Sequence, residues 1–276
     1  MATILITSAI LSGCSKATKS EPAQNTTTTN NQSTVSQTSP PEEKSPTTPT
    51  TTPENNTLYD IKKVVYTDKN AKISYPQVSN LSNEKKQEVI NQLIKNDILK
   101  SFYGGEENGL TWEVDYKVKL QDANLLSIVY SGIRNNKGTP HPTRMYYTTN
   151  IDVSKGIKLT LSDIVNINKN LTVLFKKADL IGIDNKEMNS AIGGYVGKID
   201  ANDLVKYFNQ SDGVPSTDEN ESGTFSYLTK DALGISVQTI YACGDHAEFE
   251  IKYKDLADNL KSDNATLNTF FGLQKK

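Results

Sequence analysis

The chain has 276 residues, a formal net charge of −2 and 22% charged side chains. Near-neutrality leaves no electrostatic footprint for nucleic acid. With two cysteines and two histidines in the whole sequence, a disulfide-stapled scaffold and a histidine-rich zinc site are both excluded.

Residues 1–14 form a short apolar run that ends in Leu11-Ser12-Gly13-Cys14. The run is too short to span a bilayer and reads as the apolar region of a signal sequence. Leu11-Ser12-Gly13-Cys14 resembles the lipobox of bacterial lipoproteins, in which the cysteine is thioether-lipidated; Cys14 is the expected lipidation site. The basic residues expected ahead of such a run are missing, so the start is read as truncated. Residues 15–57 are Thr, Asn, Ser, Gln and Pro with almost no large apolar side chain, a composition that cannot bury enough surface to offset chain entropy. They are read as a disordered tether, averaging roughly 35 to 40 Å end to end.

Residues 58–276 are long enough for a real core and open with strands at Tyr59–Tyr66 and Ala71–Pro76 around an Asp68-Lys69-Asn70 turn. A helix follows, with Ser82 as its expected cap. It carries Val89, Ile90, Leu93, Ile94, Ile98, Leu99 and Phe102 at steps of three and four and stops before Gly104-Gly105. In Leu110–Gln121, Trp112, Val114, Tyr116, Val118 and Leu120 alternate with polar residues, the period of a strand with one wet face. Strands at Leu125–Ile133, Thr143–Val153 and Ile157–Leu161 complete an antiparallel meander with one solvated face, and Ser162-Asp163 signals a helix start.

Helical pattern returns at Leu171–Ala178 and Asn202–Phe208, with the glycine-rich Ile192–Gly197 read as a loop between them. That segment lacks the Gly-Lys-Ser/Thr ending of a phosphate loop. Gln210–Gly223 is read as an exposed acidic loop, and strands follow at Thr224–Thr229, Ile235–Tyr241 and Ala247–Tyr253. The order gives an α+β fold, a mostly antiparallel sheet with packed helices.

Two segments carry a family resemblance. Tyr147-Thr-Thr-Asn150-Ile-Asp152 through Gly156-Ile-Lys158-Leu159-Thr-Leu161-Ser-Asp163-Ile164 resembles an Asn-Leu-Asp-Leu strand leading through a Thr-Gly-Lys turn into Leu-x-Leu-x-Asp-Leu. Phe225–Thr229 through Asp245-His246-Ala-Glu-Phe249-Glu-Ile251 to Leu256 resembles its closing half. Together, over nearly all of Tyr59–Leu260, they are similar to a pair of linked extracytoplasmic domains of unknown function (DUF4163/DUF3298-like). Known bearers are a lysozyme-sensing anti-sigma factor and a peptidoglycan deacetylase of Gram-positive cells. The sensor's membrane-spanning and sigma-binding regions and the deacetylase's catalytic module have no match in this sequence. The resemblance implies two subdomains, 58 to about 140 and about 141 to 262.

His141, in Gly138-Thr-Pro140-His-Pro142, is an exposed turn histidine and equally a binding-loop residue; the flanking prolines stiffen the tip. His246 reads as a turn residue. Glu113/Asp115 and Glu248/Glu250 lie two apart on strands and read as solvated faces rather than as a catalytic pair flanking a cleft. Tyr116, Tyr130, Tyr146 and Tyr147 divide between core and binding surface.

No catalytic residue, metal ligand or cofactor is identified. Binding candidates are Pro140, His141 and Arg144 at the tip and Tyr146 in the meander, with Glu113, Asp115 and Asp152 as acidic groups around the tip. The expected function is that of a noncatalytic lipoprotein on the outer face of the cytoplasmic membrane. By the resemblance, its partner is a lysozyme-type muramidase. A peptidoglycan-binding module is the alternative, and a wall hydrolase or deacetylase, which would need a catalytic constellation, is third.

Overall fold

Residues 59–102, 110–214, 220 and 222–272 are described by the computed structural model. The expected leader, Cys14, the tether and the Gly104-Gly105 helix stop lie outside them. β1 (Asp60–Asp68) and β2 (Ala71–Ser79) form the expected hairpin, and α1 (Glu84–Phe102) follows. The cap of α1 is Asn83 rather than Ser82. Its Oδ1 accepts from the Lys86 N–H at 2.9 Å and its carbonyl from the Gln87 N–H at 3.0 Å, which satisfies donors that a helix start leaves orphaned. Ile90, Ile94 and Ile98 are fully buried, whereas Val89 is exposed, because residue 89 falls off the stripe that a period of 3.6 defines.

β3 (Leu110–Gln121), β4 (Leu125–Asn136), β5 (Thr143–Asp152) and β6 (Ile157–Leu159) complete a six-stranded sheet in chain order. Among the described residues only β2 and β3, joined through α1, pair in parallel, as a crossover connection allows. The subdomain boundary expected near residue 140 falls at the turn of the β4–β5 hairpin, so the sheet runs through it.

The expected wet face holds for β3 but not for β4 and β5, where Leu125–Tyr130 and Tyr146–Asp152 are buried on both faces. α1 covers one face: Asp97 accepts from the Tyr147 hydroxyl at 2.8 Å and the Thr149 hydroxyl at 2.7 Å. A second sheet covers the other: Ser127 and Asn150 bond to its residues Leu228 and Ser226, and the Thr148 hydroxyl donates to Asp212 beside it.

That second sheet runs β7-β10-β9-β8, from β7 (Asp179–Ile181), β8 (Phe225–Leu228), β9 (Ala232–Gln238) and β10 (His246–Lys252). It packs with α2 (Leu161–Ile164), α3 (Lys169–Phe175), α4 (Lys186–Gly197), α5 (Ala201–Asn209) and α6 (Ala265–Phe271) around a second apolar core. The architecture is therefore α+β with two mostly antiparallel sheets.

Three local expectations change. The α2 cap is Thr160, whose N–H bonds to Asp163 Oδ2 at 2.8 Å. Ile192–Gly197 is helical, not a loop: Asn185 caps α4 through the Glu187 and Met188 N–H groups, and Ile192 and Val196 are buried one turn apart, which offsets the roughly 1 kcal/mol each interior glycine costs. The third concerns Gln210–Gly223, where Ser211, Asp212 and Asn220 are buried.

Asp212 is the joint of the molecule. β8 is the edge of its sheet, and an edge strand needs partners for its free backbone groups. Here side chains supply them. The Ser226 N–H donates to Asp212 Oδ1 at 2.6 Å, the Leu228 N–H to Ser127 Oγ at 2.9 Å, and the Ser226 carbonyl accepts from Asn150 Nδ2 at 2.9 Å. Asp212, at a left-handed φ of +64°, also accepts from the Ser226 hydroxyl, the Thr148 hydroxyl and the Leu161 N–H. Burial pushes its carboxyl up, while these donors and Lys158 pull it down. Lys158 Nζ closes the network on Asp97, Tyr147 and the Asp212 carbonyl.

Candidate functional site

Register across β3, β4 and β5 assembles the candidates that sequence separation keeps apart. Glu113 pairs with Ile133, which pairs with Arg144; Asp115 pairs with Ser131, which pairs with Tyr146. Alternation then puts the four charged and aromatic side chains on one face. With Gly132 and His246 they line a groove of roughly 510 Å³. Gly132 is required at its floor. A Cβ there would overlap the Glu113 carbonyl oxygen and sit 2.8 Å from Val114 Cα.

The rim is charged and the floor aromatic. Asp115 pairs with Lys63 at 2.8 Å, both well exposed, and the Lys63 hydrogen bond holds its carboxyl below the usual carboxylate range. Such a pair contributes little to stability. Among the described residues, neither Glu113 nor Arg144 has an ion-pair partner. The Tyr146 ring is 7% exposed and stacks on His246 at 5.3 Å. Its hydroxyl has no hydrogen-bond partner, and burial, with Glu248 nearby, pushes it up. Burial also lowers His246 to about 4 against the opposing charges of Asp245 and Glu248, so the ring is neutral at pH 7.

The hairpin tip is not a free wedge. Pro140 and His141 are exposed, but His141 stacks on Tyr241 at 4.7 Å and 19°, and the Arg144 N–H donates to Asp245 Oδ2 at 2.9 Å. Both partners sit in the β9–β10 connection, about a hundred residues along the chain. Tyr241, Asp245 and His246 belong to the site, and nothing in sequence spacing assigns them to it. The one local signal is Gly244-Asp245, a turn pair whose φ angles are both positive.

Asp152 does not belong to the site. It lies eight residues from Arg144 along β5, roughly 26 Å at ~3.3 Å per residue, and is fully buried. Its carboxylate holds the β5–β6 turn, bonding to the Ser154 hydroxyl, the Lys155 N–H and the Lys155 ammonium. Glu248 and Glu250 are not a solvated face either. Both are half-buried, Glu248 paired with Lys119 at 2.8 Å and Glu250 accepting from the Tyr227 hydroxyl at 3.1 Å. Among the described residues no group of three or more His, Cys, Asp or Glu could hold a metal ion. No helix among them is long and apolar enough to cross a membrane.

No family model matches the chain, and no curated protein matches it. Solved structures that resemble it include two of the DUF3298 family. A member of the DUF3298 family from Bacteroides fragilis NCTC 9343 is 16% identical, with a TM-score of 0.48 over 79% of this chain and 99% of that one. A DUF3298 family protein from Pseudomonas aeruginosa PAO1 is 14% identical, with a TM-score of 0.42 over 77% of this chain and 97% of that one.

Proposed function

We propose that the chain is a noncatalytic surface lipoprotein, held at the outer face of the cytoplasmic membrane through Cys14, whose tethered body binds a protein of the lysozyme-type muramidase class. The observation that supports this reading is the fixed tip beside the groove. A loop already held by the His141–Tyr241 stack and the Arg144–Asp245 hydrogen bond loses little entropy on docking. Glu113 and Asp115 put two carboxylates on the groove wall, Asp115 paired with Lys63 and Glu113 without an ion-pair partner among the described residues; Glu113 is the group offered to a basic partner and affects the association rate, while the tip sets the lifetime of the complex.

Titration calorimetry of the Cys14→Ser chain against a C-type lysozyme, at low and moderate salt, tests it. Heat is expected at micromolar concentration, weaker at the higher salt, and His141→Ala with Arg144→Ala speeds dissociation. Absence of heat in both buffers, with binding to purified sacculi intact, moves the reading to a peptidoglycan-binding module. Exposed Tyr195 and Tyr241 favour that second reading. The anchor is tested separately: Cys14→Ser, expressed with a complete leader, is expected to shift the protein from the membrane fraction to the medium, since stable anchoring needs more than one acyl chain. A Cys14→Ser protein that stays with the membrane refutes the anchor.

A further inference from the structure

Four strands end the two sheets, β1 and β6 in one, β7 and β8 in the other. β6 and β7 are three residues long, and the four-residue β8 is covered by the side chains of Ser127, Asn150 and Asp212. β1 is nine residues long, and among the described residues it pairs only with β2. A long edge of unsatisfied backbone groups is a template for a further strand.

Hairpin geometry fixes which groups point outward. Asp68 pairs with Ala71 across the two-residue turn, and the closing pair of such a hairpin exchanges its backbone hydrogen bonds. Lys62, Val64 and Tyr66 therefore also direct their backbone groups to β2, while Ile61, Lys63, Val65 and Thr67 present theirs to the outside. The far side of β2 follows the same alternation: Val78 turns its N–H and carbonyl away from β1, and the Asn91 side chain bonds both. Among the described residues, no backbone hydrogen bond beyond the ladder reaches Ile61, Lys63, Val65 or Thr67.

The side chains of this strand select a partner and a register. Val65 is 46% exposed. An antiparallel second copy of β1 centred on Val65 sets Val65 opposite itself and Lys63 opposite Thr67 in hydrogen-bonded pairs. Lys62 then faces Asp68, and Val64 faces Tyr66, in the closer non-hydrogen-bonded pairs. No like charges are opposed, and Lys62 meets Asp68 twice by symmetry. Neighbouring registers lack this match: centring on Val64 sets Asp60 against Asp68, centring on Lys63 sets that lysine against itself, and centring on Tyr66 sets Lys63 against Lys69. Like charges directly opposed across strands are destabilising. Lysines ordinarily guard an edge, but Lys63 is turned along its own sheet to Asp115 at 2.8 Å. Asp68 accepts from the Tyr66 hydroxyl and the Lys69 N–H, and a carboxylate with about four acceptor sites can take an ammonium as well.

We infer that β1 is a self-association edge. Two copies pair antiparallel about a two-fold axis at Val65 and join their six-stranded sheets into one. The contact is isologous, so it closes at two chains and leaves neither edge exposed. It is independent of the anchor and of the partner proposed for the groove.

Sedimentation velocity of the full Cys14→Ser chain is the test. One strand pair is a small interface, so the expected mass is that of one chain at low micromolar concentration and of two at hundreds of micromolar. Lys62→Asp opposes like charges and is expected to weaken association about tenfold, and adding Asp68→Lys to it to restore the dimer. Val65→Pro removes the outward N–H at the centre of the contact, a change that an edge strand accepts where its N–H faces solvent; it is expected to give one-chain mass with the fold kept. Oxidation reads the register. Val65→Cys is expected to cross-link to its own copy, the paired Cα atoms being about 5.5 Å apart. Thr67→Cys, displaced roughly 13 Å along the strands from its copy, is not, and the remaining Cys243 is buried. One-chain mass at every concentration, a dimer unmoved by both Lys62→Asp and Val65→Pro, or cross-linking at residue 67 as fast as at residue 65 overturns the inference.

Discussion

Asp212→Gly isolates the joint between the two sheets. Glycine adopts the left-handed φ of +64° found there without strain, so the change removes the carboxylate and little else. Two buried backbone donors, the N–H groups of Ser226 and Leu161, then lose their acceptor. The hydroxyls of Ser226 and Thr148 lose theirs too, but hydroxyls can rotate toward other acceptors. At about 1–3 kcal/mol for each stranded buried group, the two N–H groups alone predict a loss of about 4 kcal/mol. For a folded body of this size, a shift of roughly 2–4 °C per kcal/mol converts that into a melting temperature lower by about 8 to 16 °C. Urea denaturation followed by circular dichroism, with thermal scans alongside, measures both quantities. The comparison is Asp115→Ala, which breaks the exposed pair with Lys63 and is expected to cost under about 1 kcal/mol. If Asp212→Gly cost no more than Asp115→Ala, the idea that side chains stitch the β8 edge would be wrong.

Three further outcomes are expected. His246, lowered to about 4 by burial, is held neutral in the fold while the unfolded chain protonates near its ordinary value. Its contribution is therefore present above about pH 6.5 and lost as the pH falls toward 4, by at most about 3 kcal/mol; His246→Gln should flatten the denaturation midpoint over that window, and an unchanged slope argues against a buried neutral ring. Gly194→Ala, in a helix where an added Cβ meets nothing within 4 Å, should raise stability by about 0.5–1 kcal/mol, and a loss in chemical denaturation would contradict the helical assignment. Gly132→Ala should lower stability by about 1–3 kcal/mol through overpacking against β3; a neutral melting curve would show that the two strands can part.

What the sequence by itself determined is what local patterning can carry. Alternation from Trp112 to Leu120 and the Ile90, Ile94, Ile98 stripe specify a strand and a helix through periods of two and 3.6, and both form with burial on the expected sides. Pro140 and His141 lie at an exposed hairpin tip as their turn chemistry implies. Polarity misled wherever the second sheet intervenes. By sequence Asp152 belongs to a binding surface and Asp212 to an exposed loop, because a polar side chain gives no local sign of whether water or a buried N–H will satisfy it; both are interior, as are the polar Thr148 and Asn150 of the same strand face as Asp152. The groove has the same origin. Glu113, Arg144, Tyr146, Asp245 and His246 meet through cross-strand register and the docking of the tip on Tyr241, contacts between residues up to about a hundred positions apart that tertiary structure alone could bring together.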